Sequence, residues 1–589
     1  MDPRHTQPDD DRLAEVEERL RSLQQHVEQL TRRVQAIEGG APTTTTRADG
    51  ATLPTDTSTA ASGSWLQHSA LLRRIATISF VLVLALVLRT LTDSEVVTST
   101  VGVRLGIGYA LLLLAVGWHH LAGDRAGQRV YSICGALLLC ALVLETHSRF
   151  DYLGSASAHG LLVGTLVACA LLGMRYHAPV VAEAGVLTAA LSSLVIGFPM
   201  PEFHITAATL LLAMLAAAAL VGRRRTPWLH WAVLALLLFF WSLWAAKLHA
   251  PLVRAETIPP ALRLPWFLPA LATTFVVLLG IGHRRLRAGS QAFALVLPTW
   301  NVLWAFAAAA AVVVPWHAAG RWLGVAALAV AALHLLLAWR FASPAPGNVV
   351  ATGSMVLAAT AAFMPGTWLA IGDLPVATLC WSLAAWGIAW WSGRLGSGGM
   401  RALACGLQVA AVGTAITAGA FAAPAAATWR AAALAAALAT TAGLHYRWTR
   451  STPPAQTSWY HRLTATDRPG ELTLWAAVAA VFGCLRVVLH ALLATMPVDL
   501  DNAFAGAQSV LLNGIAITTM ILAQRHHSRP AMRTAVSVTV LGGIKVFASD
   551  LLTLHGIPLV LSVFSFGVTA AVGSLVVGRW QRAAGLSPA

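Results

Sequence analysis

Apolar runs of about 18 to 24 residues follow one another from about residue 72 to residue 577, and they constrain this chain more than any other feature. A run of that length crosses a hydrocarbon core of roughly 30 Å as a helix. Lipid offers no partner for an unpaired backbone group, so only helices or closed barrels can span it. The alternating pattern of barrel strands is absent, which leaves helices. Composition agrees, because only 11% of the residues are charged. A soluble domain carries about a quarter, and so little charge cannot cover a soluble surface of this size.

Eighteen apolar segments can be counted, at about 72–91, 102–121, 129–147, 157–174, 178–197, 203–222, 227–247, 262–282, 290–314, 321–340, 348–370, 373–393, 401–421, 426–446, 472–496, 503–524, 531–550 and 557–577. The expected fold is therefore an all-α, polytopic transmembrane bundle of about eighteen spans. The net charge of +15 does not point to nucleic acid, because the basic residues cluster at segment ends. Alternate loops hold 23 basic residues on one side and eight on the other. That asymmetry predicts cytosolic N- and C-termini in a bacterial inner membrane. The chain opens on a polar stretch and its first apolar run begins only near Ile75, so no cleavable signal peptide is expected.

Ahead of the spans, residues 11–38 carry Leu13, Val16, Leu20, Leu23, Val27, Leu30, Val34 and Ile37 at alternating steps of three and four. This is a coiled-coil seam, narrow and flanked by charge, and it needs a partner helix. Homo-oligomerisation through Leu13–Ile37 is the natural expectation, with another protein as the alternative. Residues 1–10 read as a disordered tail, 39–64 as a flexible Gly/Thr/Ser/Pro linker, 65–582 as the bundle and 583–589 as a tail. Loops after residue 70 are too short for a soluble catalytic domain.

Ionisable groups inside spans are costly and are the first candidates for function. Lys545 is the foremost. Asp550 follows five residues later, which on an α-helix offsets it by about 140°. Lys545 should therefore need a partner from another helix; a flexed helix end carrying Asp550, Glu183 and Glu145 are the options. Such charges can line a substrate or proton path, or form a structural ion pair. Arg486 and His490 share one face of the fifteenth segment, with Cys484 nearby. No second His or carboxylate completes a metal set, so a buried polar stripe is expected. Glu145 and Arg149 read as an (i, i+4) salt bridge. Glu183 follows Arg175 and His177 and reads as interfacial. Asp93 and Glu95 in the first loop are where lipid-linked sugar transferases of the GT-C type place carboxylates, yet the loop is only about ten residues long. The pairs His119/His120 and His526/His527 are poor chelators, since adjacent side chains on a helix diverge.

The six cysteines, Cys134, Cys140, Cys169, Cys380, Cys405 and Cys484, all sit in apolar segments and read as packing residues. Trp65, Trp118, Trp228, Trp316, Trp322 and Trp580 suit an interfacial belt, while Trp241, Trp244, Trp300 and Trp304 fall deeper. No nucleotide, hydrolase or metalloprotease motif is present, and no metal or cofactor is expected.

Two stretches carry a family resemblance. LLRRIATISFVLVLALVLRTLTDSEVVTSTVGVRLGIGYALLLLAVGWHHL spans 71–121, and RTAVSVTVLGGIKVFASDLLTLHGIPLVLSVFSFGVTAAVGSLVVGRW spans 533–580. With the coiled coil, they resemble a bacterial family of many-spanning membrane proteins catalogued as a domain of unknown function, number two-three-three-nine. The positions that match are Arg89, Arg104, Lys545-Val546-Phe547, Asp550 and Ser562 to Gly567. The family's Gly-Gly-aromatic turn survives only in part at ALSSLVIGFP, 190–199. The resemblance implies an array of helical hairpins and brings no activity with it. On these grounds the leading expectation is a non-enzymatic protein that holds or moves a hydrophobic or lipid-linked molecule. A scaffold working through its coiled coil is the second reading, and a GT-C-like transferase the third.

Overall fold

The computed structural model describes residues 78–583, apart from 82, 93, 95, 123–128, 151, 222–226, 290–291, 316–318, 344–347, 420, 422–428 and 453–467. The chain divides into Met1–Arg73 and Arg74–Ala589, and the described helices all belong to the second unit. The expected coiled coil, its linker and the N-terminal tail lie outside the described residues, as does most of the expected C-terminal tail.

Eighteen helices occur among the described residues. They are α1 (Ile78–Thr92), α2 (Ser99–Ala122), α3 (Arg129–Ser148), α4 (Ser155–Arg175), α5 (Pro179–Val195), α6 (Phe203–Val221), α7 (Pro227–Val253), α8 (Leu264–Ala288) and α9 (Ala292–Val313), followed by α10 (Gly320–Ala342), α11 (Val349–Ile371), α12 (Leu374–Leu395), α13 (Gly398–Thr417), α14 (Trp429–Ser451), α15 (Arg468–Leu493), α16 (Leu500–Arg525), α17 (Arg529–Thr553) and α18 (Ile557–Ala583). Fifteen are long and apolar enough to cross a membrane. The others are α1 and α5, which are shorter, and α14, which carries Arg430, His445, Arg447 and Arg450. The protein is thus an all-α, multi-pass membrane protein.

Helix starts follow local chemistry. Asp373, Ser397, Asp499 and Ser528 each cap a helix by accepting a hydrogen bond from the amide three residues on. Pro375 and Pro530 sit in first turns, where the missing N–H costs nothing. Gly372 and Gly396 end α11 and α12 in the left-handed region, at φ 70° and 61°.

Packing is local along the chain. Every well-packed pair joins helices one or two apart in sequence, and none joins the first helices to the last. The core is correspondingly a series: one apolar cluster runs from α2 to α9, others lie over α8–α13 and α13–α15, and a last one lies over α14–α18. The hairpins form an array in which each helix is supported by its neighbours, as in repeat proteins. The α10–α11 contact shows what drives it without a hydrophobic effect between helices. A Cβ on Gly324 would run into the Ala370 backbone amide and come within 2.9 Å of the Gly366 carbonyl, so the two backbones touch.

The aromatic cluster is core. Trp241 and Trp244 are fully buried, stacked at 5.1 Å, with Phe203, Phe240 and Phe267 around them. Trp300 is exposed on the apolar flank, and Trp118, Trp228 and Trp322 are exposed near helix ends. All six cysteines are free, four of them buried.

Candidate functional site

The C-terminal helices hold the foremost charged candidates. The α-helical part of α17 ends at Lys545, and Val546–Asp550 form one π-helical turn. Within it the Leu551 N–H reaches the Val546 carbonyl, five residues back. A π turn repeats at i+5 rather than i+4, so residue i+5 comes to lie over residue i. This corrects the α-helical expectation of a 140° offset: Lys545 Nζ donates to Asp550 Oδ1 at 2.7 Å on the same helix. Neither Glu183 nor Glu145 is its partner. The second helix involved is α16, which offers the Ala505 carbonyl at 3.0 Å and Ser509 Oγ at 2.5 Å to the same ammonium. Asp550 is 1% exposed, and its Oδ2 accepts the hydroxyls of Ser509 and of Ser562 on α18. All three ammonium donors and both carboxylate oxygens are therefore used, and one ion pair ties three helices.

The tie rests on small residues. Asn513, one turn beyond Ser509, donates to Ser565 Oγ at 2.8 Å. Its Oδ1 would meet a Cβ on Gly542 at 2.7 Å. A Cβ on Gly543 would meet the Phe566 ring at 3.0 Å. The Lys, the Asp and the Ser-Phe run quoted above thus fall together in space.

At the other end of the array, Glu145 on α3 pairs with Arg149 at 3.5 Å, as the spacing predicts, and with Arg89 of α1 at 3.0 Å. Arg104 of α2 donates to Tyr152 Oη at 3.1 Å. Glu183, half-buried on α5, lies beside the Trp228 indole of α7. Asp93 and Glu95 lie outside the described residues.

Arg486 and His490 face α16. The Arg486 guanidinium lies 5.5 Å from the centre of the Phe504 ring, and the His490 ring meets the same ring edge-on at 4.9 Å. No group of three or more potential metal ligands occurs among the described residues.

Sequence reading did not single out a buried network across α12, α13 and α14. Gln408 Nε2 donates to Ser382 Oγ at 2.8 Å, and Ser382 and Thr441 hydroxyls lie 2.7 Å apart. His445 Nδ1 lies 3.2 Å from Gln408 Oε1, which fixes it as the donor. Arg401, 6% exposed, donates to the carbonyls of Thr449 and Thr452. An amide and an imidazole inside apolar segments were the available signal. Near the opposite end of these helices, the Asp373–Arg430 ion pair borders a cavity of about 180 Å³ lined by Thr378, Ala415 and Leu438.

A larger groove, about 540 Å³, opens between the ends of α7 and α9. Among the described residues its walls are Leu252, Val253, Ala310, Val314 and Pro315, and its one polar side chain is His249. His249 Nδ1 donates to the Ala311 carbonyl at 2.7 Å. A carbonyl can only accept, so Nδ1 carries a proton, and Nε2 lies on the exposed side of the ring's hydrogen bond.

No protein-family model matches this chain, no curated protein is similar to it, and no solved structure matches it. No family is thereby identified for the chain, which is a many-span helical membrane protein.

Proposed function

We propose that this multi-pass protein holds or moves an amphipathic, lipid-like molecule rather than transforming one. The α7–α9 groove carries the reading. Its volume falls in the range of small-molecule sites, roughly 300–1,000 Å³. Its walls suit an acyl or isoprenoid chain, and the ring nitrogen of His249 gives one polar handle for a hydroxyl or head group. The buried charges at Lys545 and Asp550 are consumed by partners within the protein, which suits a rigid frame around a carrier more than a catalytic centre. Basic residues concentrated on alternate loops support eighteen crossings of a bacterial inner membrane with both termini cytosolic.

Native mass spectrometry of the full chain in nanodiscs of bacterial lipid extract tests this. Wild type should retain a discrete lipid species that Ala310→Trp, which fills the groove, releases. Equal lipid profiles for the two, with both monodisperse, would reject the groove as the holder. The scaffold reading is favoured by one observation, the unbroken seam from Leu13 to Ile37. Deleting 11–38 should then convert an oligomer into a monomer while lipid retention stays unchanged.

A further inference from the structure

Arg486 has a different environment from the cations described above. Arg89 and Arg149 share Glu145, Arg430 has Asp373, Arg401 has two carbonyls, and Lys545 has an ion pair, a hydroxyl and a carbonyl. Arg486 forms no hydrogen bond and no ion pair among the described residues, and its Nε is buried without a partner. The ring nitrogen Nδ1 of His490, one turn on, is likewise buried and unpartnered. Two nitrogen-bearing side chains, each with an unpartnered buried nitrogen, therefore flank one Phe504 ring, with the guanidinium at 5.5 Å and the imidazole at 4.9 Å from it.

Burying a cation in a span costs several kcal/mol unless something pairs with it. The nearby acids do not. Asp499, in the turn between α15 and α16, caps α16 through the Asn502 amide, and neither it nor Asp501 forms an ion pair with Arg486. Arg486 lies seven residues before the end of α15, roughly 10 Å along the axis, which is within reach of head groups at the membrane interface. Leu485, Val488 and Leu492, each exposed on α15 beside it, present an apolar surface to a chain. With Nε buried, the two terminal Nη groups of a guanidinium on an aromatic face are the donors that can take a bidentate oxyanion.

We propose that Arg486 and His490, steadied by Phe504, bind a phosphate group, with the guanidinium as the main donor and the imidazole as the second. The phosphate can come from a phospholipid head group or from inorganic phosphate in solution. This site is separate from the α7–α9 groove, and the test keeps the two apart.

The full chain is reconstituted in phosphatidylcholine nanodiscs with a small fraction of phosphatidylglycerol, and bound lipid is counted by native mass spectrometry. Wild type, Arg486→Gln, Phe504→Leu and Ala310→Trp are compared, and inorganic phosphate is titrated in pure phosphatidylcholine with thermal stability as the readout. Arg486→Gln should hold phosphatidylglycerol roughly tenfold more weakly or worse, the loss expected for a charge-assisted pair. Phe504→Leu, which keeps the charge and removes the stack, should lose part of the affinity, and Ala310→Trp should lose none. Stabilisation of wild type but not Arg486→Gln by inorganic phosphate, with no preference for phosphatidylglycerol, would assign the site to the free anion. Equal behaviour of wild type and Arg486→Gln in both arms, with both proteins monodisperse, overturns the proposal.

Discussion

Replacing Lys545 by Met and Asp550 by Leu, singly and together, probes the tie between α16, α17 and α18. Removing either partner leaves the other charge in a site where Asp550 is 1% exposed and Lys545 26% exposed. Breaking a buried pair from one side costs about 3–5 kcal/mol, and the partial exposure of Lys545 places Asp550→Leu near the lower end. Removing both also strands the hydroxyls of Ser509 and Ser562, at roughly 1 kcal/mol each. It relieves the uncompensated charge, however, so the double variant should cost less than the two singles summed, by about 2 kcal/mol or more. At about 2–4 °C per kcal/mol, each single change lowers the midpoint of thermal unfolding by roughly 6–20 °C, with Asp550→Leu toward the smaller shift. Fluorescence-detected size-exclusion after a heat step reads this for detergent-extracted protein without purification of each variant. Strictly additive losses would mean that the two charges do not meet, and the π turn would lose its structural role.

The remaining predictions concern packing and the buried network. Gly542→Val should destabilise by about 1–3 kcal/mol, because the new Cβ collides with Asn513 Oδ1, whereas Gly514→Ala on α16 meets nothing and should be neutral or slightly stabilising. Both are read by the same thermal assay, and equal effects would contradict the close approach at Gly542. Gln408→Leu strands the His445 Nδ1–H and should cost roughly 2–3 kcal/mol, while Arg430→Ala breaks a pair whose arginine is 69% exposed and should cost less than about 1 kcal/mol. The reverse order would place the weight of the α12–α14 unit at its rim.

What could be read from the sequence follows from how each feature is encoded. Eighteen segments were visible because hydropathy over about twenty residues is a local property; eighteen helices occur among the described residues, and fifteen of them are long and apolar enough to cross a membrane. The salt bridge from Glu145 to Arg149 was visible because it repeats the α-helical spacing; the one from Glu145 to Arg89 was not, since it crosses from α3 to α1. Lys545 and Asp550 were both singled out, but their pairing depends on a π turn that breaks the assumed period. Ser382, Gln408, Thr441 and His445 lie on three helices, and each looks unremarkable in its own apolar run. The serial packing follows from which helices touch, which apolar periodicity within one span does not encode.

A cryo-electron microscopy map of the full chain in nanodiscs of bacterial lipid tests the central claim most directly. The account predicts ordered, elongated density in the α7–α9 groove, with its polar end within hydrogen-bond reach of His249 Nε2. A groove closed by side chains, or filled only with the diffuse lipid found around the rest of the array, would contradict it.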